Sequence, residues 1–249
     1  MTIVLTALIF LLAGFMQGAA GFSFAVLSVP LLVWNDFSLA EASMIMAVNA
    51  MVVSSLMVFR LRQHVKWRVL APTALLRVFT VALGVFLLTK INGLDRTLIR
   101  QILGLLLIVI VFIQLIVKPK AREVLDRFWW WLAFGVGGFM TGLVGFGGPP
   151  SVLWVMAHNW SPFESRALLT ALFWSVLPIQ VVLLLASFGQ PMLQTAQYAV
   201  LFIPISTLAI FIGIWWGNKL NKERLRQVGQ GLLLLTGLSS LLAPFVGLG

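Results

Sequence analysis

Apolar runs about twenty residues long fill most of this chain, and that length lets a helix rising 1.5 Å per residue cross the hydrocarbon of a bilayer. Six of them stand at residues 42–59, 69–89, 98–117, 167–188, 196–216 and 228–246. Two more, 3–34 and 128–157, are about thirty residues long and are interrupted near the middle by glycine or proline. Charged residues make up 10% of the chain, where a soluble domain carries about 25%. That is too little polar surface to cover a globule in water. The fold class is therefore an all-α polytopic membrane protein, with lipid as the solvent for most of the chain. The apolar start at Ile3 lacks the positive n-region of a secretory signal, the first basic residue being Arg60. We read that segment as part of the mature protein.

The two interrupted segments share a string. GFMQGAAGF (14–22) and GFMTGLVGF (138–146) agree at six of nine positions, 124 residues apart. Further on, GVFLLTKIN (84–92) matches GIWWGNKLN (213–221) in its first glycine, its lysine and its asparagine. Gly104 and Gly231 follow, with two residues fewer in the second half. The chain thus divides into a first transmembrane repeat, 1–117, a basic linker, 118–127, and a second repeat, 128–249, each of four elements. Small residues recur at helix contacts in any membrane bundle. Matched blocks in one order point instead to the internal duplication common in secondary transporters.

The basic residues bear on topology. If all eight segments cross, with 36–41 outside, the sixteen loop cations split evenly between the two sides. That conflicts with the cytoplasmic bias of Lys and Arg. If the two broken segments are re-entrant hairpins, thirteen cations fall inside and three outside. We therefore expect six full spans and two hairpins, in two halves of opposite orientation. The net charge of +10 sits in short loop clusters, which suits anionic lipid and a cell inner membrane. No basic soluble domain is present to make nucleic acid a partner.

Broken backbone at membrane depth must be covered by protein or line a cavity, because hydrocarbon offers an amide no hydrogen bond. Phe146-Gly147-Gly148-Pro149-Pro150 cannot be continuous helix. A new half-helix can begin at Pro149 or Pro150, with free amides and the positive end of its dipole at the break, an arrangement that favours an anion. In the first copy Ser23 offers a hydroxyl at this place, after Gly18, Gly21 and Phe22. Gln17 and Thr141 occupy one repeat position beside the glycines, so both are expected to line a cavity with Gly142, Gly145, Gly147, Gly148 and Pro149. Other polar residues carry two readings. Arg77 is a snorkelling arginine or an anion counter-charge. Asn49 is interhelical glue or a ligand. Arg166 is an interface anchor or a substrate contact, one turn before Thr170. Gln180, Trp154 and Trp174 are weaker candidates.

Several function classes lack their residues. No aspartate or glutamate lies inside an apolar run, so a carboxylate proton relay or sodium site has no visible carrier. Cysteine is absent, which excludes disulfides, thiolate metal sites and cysteine nucleophiles. His64 and His158 are far apart in sequence and read as loop residues rather than metal ligands. GLVGFGG lacks the βαβ setting of a dinucleotide fingerprint and no Walker lysine follows it, so no nucleotide or other cofactor is expected. No Ser/His/Asp, paired-Asp or zinc set supports an enzyme.

GFMTGLVGFGGPPSVLWV (138–155) and GFMQGAAGFSFAVLSVPLL (14–32) resemble the glycine-rich signature of the TauE/SafE sulfite exporter family, and the resemblance spans the whole chain. Carried across by position, the signature glycines are Gly18 and Gly21, then Gly142, Gly145, Gly147 and Gly148, with Pro30 after the first ladder. The resemblance implies a membrane transporter of sulfite, small organosulfonates or related anions. Three departures leave the anion open: Ser23-Phe24-Ala25 where members often have a glycine run, Pro149-Pro150, and a small polar helix start met only in part by Thr170. Phe24 would favour an anion with a carbon tail. Export agrees with the missing acids, because an anion leaving a negative interior gains about 2.3 kcal/mol per 100 mV without a coupling ion. We expect an exporter working by alternating access, with a small anion and the bilayer as partners and room for a homodimer. The alternative is a non-transporting assembly or maturation partner in a sulfur or redox pathway, docking through 60–68 or 118–127.

Overall fold

The computed structural model describes residues 2–20, 24–116, 127–217 and 222–242. Regular structure among them is helical throughout: α1 Thr2–Ala20, α2 Phe24–Trp34, α3 Leu39–Leu61, α4 Trp67–Ile91 and α5 Arg96–Ile116. The second half holds α6 Arg127–Trp131, a π-helical turn at Leu132–Val136, α7 Gly137–Val144 and α8 Gly148–Met156. It continues with α9 Pro162–Phe188, α10 Gln190–Val200, α11 Ile203–Gly217 and α12 Lys222–Leu242. Among the described residues, α3, α4, α5 and α9 are each long and apolar enough to cross a membrane, and α10 with α11 makes a fifth such unit, bent by 49°. Leu75, Phe79, Leu83 and Phe86 stand exposed along one stripe of α4, and Leu105, Val109, Phe112 and Ile116 along one of α5. A water-soluble protein seldom leaves such stripes bare; lipid covers them.

The run at 196–216 is not the single straight span expected from its hydropathy. Pro204 lacks the N–H that would bond the Val200 carbonyl, and its ring crowds that turn. The chain tightens into i to i+3 bonds, Leu201 N to Tyr198 O at 3.2 Å and Phe202 N to Ala199 O at 3.1 Å. The last run, 228–246, is described only to residue 242, within α12.

Local sequence sets where α3 and α9 begin. Ser38 and Glu41 form a reciprocal capping box, each side chain bonding the other's backbone N–H at 2.8–3.2 Å. Ser161 and Glu164 repeat it at the start of α9. The two helices pack antiparallel. The Lys66 ammonium, just beyond α3, meets Glu164 at the start of α9 at 2.9 Å, and the His64 and Phe163 rings lie 5.7 Å apart.

Each interrupted segment folds back on itself. At the end of α2, Asn35 donates to Thr6 Oγ1 near the start of α1 at 3.2 Å, and the rings of Phe24 and Phe10 are 5.6 Å apart. In the second half, Ser151 on α8 reaches back toward Ala133, and the Trp154 ring lies 4.9 Å from that of Phe134. Both are antiparallel helical hairpins; residues 21–23, which join the arms of the first in sequence, lie outside the described residues.

Glycine decides how the hairpins are seated. A Cβ on Gly18 in α1 would run into the Ile210 carbonyl oxygen of α11, and one on Gly142 in α7 into the Val81 carbonyl oxygen of α4. Gly213 and Gly84 make the reciprocal approach, to the carbonyls of Phe15 and Phe139. In the register of the Gly84 and Gly213 blocks, Val81 and Ile210 hold one position. The hairpin of each half therefore lies on a helix of the other half, through the glycines that recur in the sequence.

Candidate functional site

The flanks of the two hairpin tips open onto one partly enclosed cavity of about 70 Å³. The first hairpin contributes Gln17, Phe24, Ala25 and Val26, and the second contributes Thr141 and Gly145 through Pro149. The remaining wall comes from α3, α5, α9 and α12, including Met46, Val53, Phe173 and Leu177. Among the described residues its polar side chains are Gln17, Ser54, Gln114 and Thr141, and none of the lining side chains is acidic or basic.

The second tip is shaped by residues that only its bends explain. Gly145 closes α7 in the left-handed region, φ 79°, where a side chain costs about 1–2 kcal/mol. Its N–H bonds the Thr141 carbonyl at 3.1 Å. Gln180 of α9 donates to the same carbonyl at 2.9 Å. α8 begins at Gly148, with Gly147 as its N-cap, just ahead of the prolines expected to start it. Pro149 and Pro150 take first-turn positions where no intrahelical N–H bond is needed. Across the cavity, Gln17 Oε1 accepts the Phe24 N–H at 3.1 Å, bridging the first break.

Behind Thr141 lies Arg77, fully buried in α4. Its guanidinium donates to Thr141 Oγ1 at 2.6 Å, the Gly137 carbonyl at 3.1 Å and Ser151 Oγ at 3.2 Å. The Phe173 ring, itself on the cavity wall, sits 5.3 Å from it. Its Nε has no partner. Among the described residues the ion pairs are Lys66–Glu164 and Arg100–Asp36, so Arg77 carries its charge without a carboxylate. This is no snorkelling side chain, since none of it is exposed at the protein surface. Thr141 passes the contact on: it accepts from Arg77, donates to Gly137 O at 2.8 Å, and faces the cavity.

Of the residues singled out from the sequence, Gln17, Thr141, Gly145, Phe146, Gly147, Gly148 and Pro149 surround the cavity. Gly18 and Gly142 lie at helix contacts instead. Gly21, Phe22 and Ser23 lie outside the described residues. Asn49 does not line the cavity; it donates to Ala199 O at 2.9 Å and accepts from Ser206 at 2.6 Å, tying α3 to the α10–α11 bend. Arg166 and Thr170 also stand away from it, the Thr170 hydroxyl turning back to the Arg166 carbonyl at 2.7 Å. Sequence reading passed over Ser151 and Phe173. Ser151 lies in the second glycine string but carried no role there, Phe173 lies in no motif, and only the tertiary fold brings them to Arg77. No cluster of metal-ligating side chains occurs among the described residues.

These features define a helical membrane protein whose two glycine-broken hairpins meet at a cavity backed by one buried arginine. A family model described as sulfite exporter TauE/SafE matches residues 6–240. The chain belongs to that family of transmembrane transporters. It is 26% identical over 187 residues to a protein of Cupriavidus necator named probable sulfite/organosulfonate exporter TauE, covering 74% of this chain and 71% of that one. No solved structure matches.

Proposed function

We propose that the protein exports a small anion, sulfite or an organosulfonate or carboxylate, bound between the two hairpin tips and released by alternating access of two inverted halves. The observation that carries this reading is Arg77, a buried cation with no acid partner one side chain behind the cavity wall. A charge buried without a partner is costly, and an anion in front of Thr141 would offset that cost. The first-turn amides of α8 would add their dipole from the same side. Among the described residues no acid lines the cavity to bind a coupling cation, which fits an anion driven out by the membrane potential. The test is efflux of labelled sulfite and alkanesulfonates from proteoliposomes with a negative interior. Flux no greater than that of empty vesicles would sink the proposal. Gly148→Leu is expected to abolish that flux with expression retained. At Gly148 a Cβ has room, its nearest neighbour being Phe173 Cζ at 3.4 Å, so the added side chain fills the cavity rather than breaking the fold.

The antiparallel α3 and α9, with matching caps at opposite ends, support inversion of the halves. The Lys66–Glu164 pair supports one side of the membrane for the connections at 62–66 and 157–161, as re-entrant hairpins require. Eight plain spans would place them on opposite sides. The chain has no cysteine, so single cysteines at His64 and Asn159 can be probed without a background. Both are expected to react with a membrane-impermeant thiol reagent from the same side; labelling from opposite sides would exclude the inverted arrangement.

A further inference from the structure

We infer that the preferred substrate is a monoanion with a short, uncharged apolar tail, an alkanesulfonate of about two carbons, rather than bare sulfite, a zwitterion or a dianion. The inference rests on the transport reading above and narrows it. Three features of the cavity carry it.

The first is charge. Among the described residues Arg77 is the one fully buried cation, and its guanidinium reaches the cavity through Thr141. One positive charge balances one negative charge. A second carboxylate or sulfonate would lie in an apolar chamber without a partner, where an ion is heavily penalised. An ammonium group fares no better, because no acid lines the cavity among the described residues.

The second is the distribution of polarity. Thr141, Gly147 and Gly148 lie at the Arg77 end, with Phe173 touching both Arg77 and the space beside Gly148. The wall as a whole is largely apolar, with Phe24, Val26, Met46, Val53, Leu177 and Leu233 beside the polar side chains of Gln17, Ser54, Gln114 and Thr141. Such a wall returns to a fully hydrated oxyanion only a few of the hydrogen bonds it loses. It rewards a buried methylene with about fourfold in affinity.

The third is size. A water needs about 10–15 Å³ of such space, so a cavity of about 70 Å³ holds on the order of five water-sized groups. A sulfonate head with two carbons fills that space, and a bare sulfite leaves much of it empty.

The experiment measures thermal stabilisation of the full-length protein in detergent by sulfite, methanesulfonate, ethanesulfonate, 2-aminoethanesulfonate and sulfoacetate. The half-saturating concentration is expected to fall about fourfold from methanesulfonate to ethanesulfonate, and about tenfold from sulfite to ethanesulfonate. Val53→Thr, nearly isosteric, should lower the ratio of ethanesulfonate to methanesulfonate affinity from about fourfold toward one. Sulfite, the zwitterion or the dianion binding as tightly as ethanesulfonate would overturn this inference and leave the anion-exporter reading standing. Stabilisation by none of the five would overturn both.

Discussion

Gly147→Ala is expected to prevent the protein from reaching its native fold, while Gly148→Ala one position later leaves it nearly unchanged. At Gly147 a Cβ would collide with the Gly137 carbonyl oxygen and with Thr141 Oγ1, the hydroxyl that also receives Arg77. The carbonyl belongs to the facing arm of the hairpin and cannot swing aside as a flexible side chain would. Relief requires the arms to separate, at a cost of about 3 kcal/mol or more, the upper end of overpacking. At Gly148 the nearest atom is Phe173 Cζ at 3.4 Å, an ordinary contact. The check is the yield of monodisperse protein and its unfolding temperature in detergent for the two variants side by side. Equal stability would show that the hairpin tip opens more easily than its packing implies.

Arg77→Met is expected to cut anion flux by about thirty- to a hundredfold, the equivalent of about 2–3 kcal/mol for a lost charge-assisted contact. The unfolding temperature of the anion-free protein should not fall. The physical reason lies in the balance around that guanidinium. It makes three hydrogen bonds to neutral acceptors, yet it bears the desolvation of a fully buried charge that no carboxylate offsets. Methionine removes both contributions and keeps most of the packing against Phe173. Anion-induced stabilisation should disappear in the variant. A variant that unfolds readily without anion would mark Arg77 as a structural strut and remove the central support for the transport mechanism.

Much of the architecture was legible in the linear chain. Long apolar runs report helices at membrane length because hydrocarbon admits little else. The repeated glycine strings identified the two segments that break. Gln17 and Thr141, matched beside the glycines of the two strings, both line one cavity. The bend at Leu201–Phe202 was missed, although Pro204 announces it, because the surrounding run is so uniformly apolar that hydropathy alone reads it as straight. Asn49 looked like a ligand or glue by composition; its contacts with Ala199 O and Ser206, 150 and 157 residues away, tie it to that bend.

Arg77 marks the boundary between the two kinds of knowledge. The sequence alone determined that a charge sits inside an apolar helix, that no acid sits inside any apolar run, and that two glycine-broken segments recur. Each of these is a property of composition and spacing. That Arg77 stands behind Thr141, under Phe173 and beside Ser151, was decided only by tertiary structure. So was the seating of each half's hairpin on a helix of the other half. Glycine in the string permits close approach but does not name its partner. The partner is chosen where Gly18 meets Ile210 and Gly142 meets Val81, because only a backbone bare of Cβ lets those carbonyls come so near.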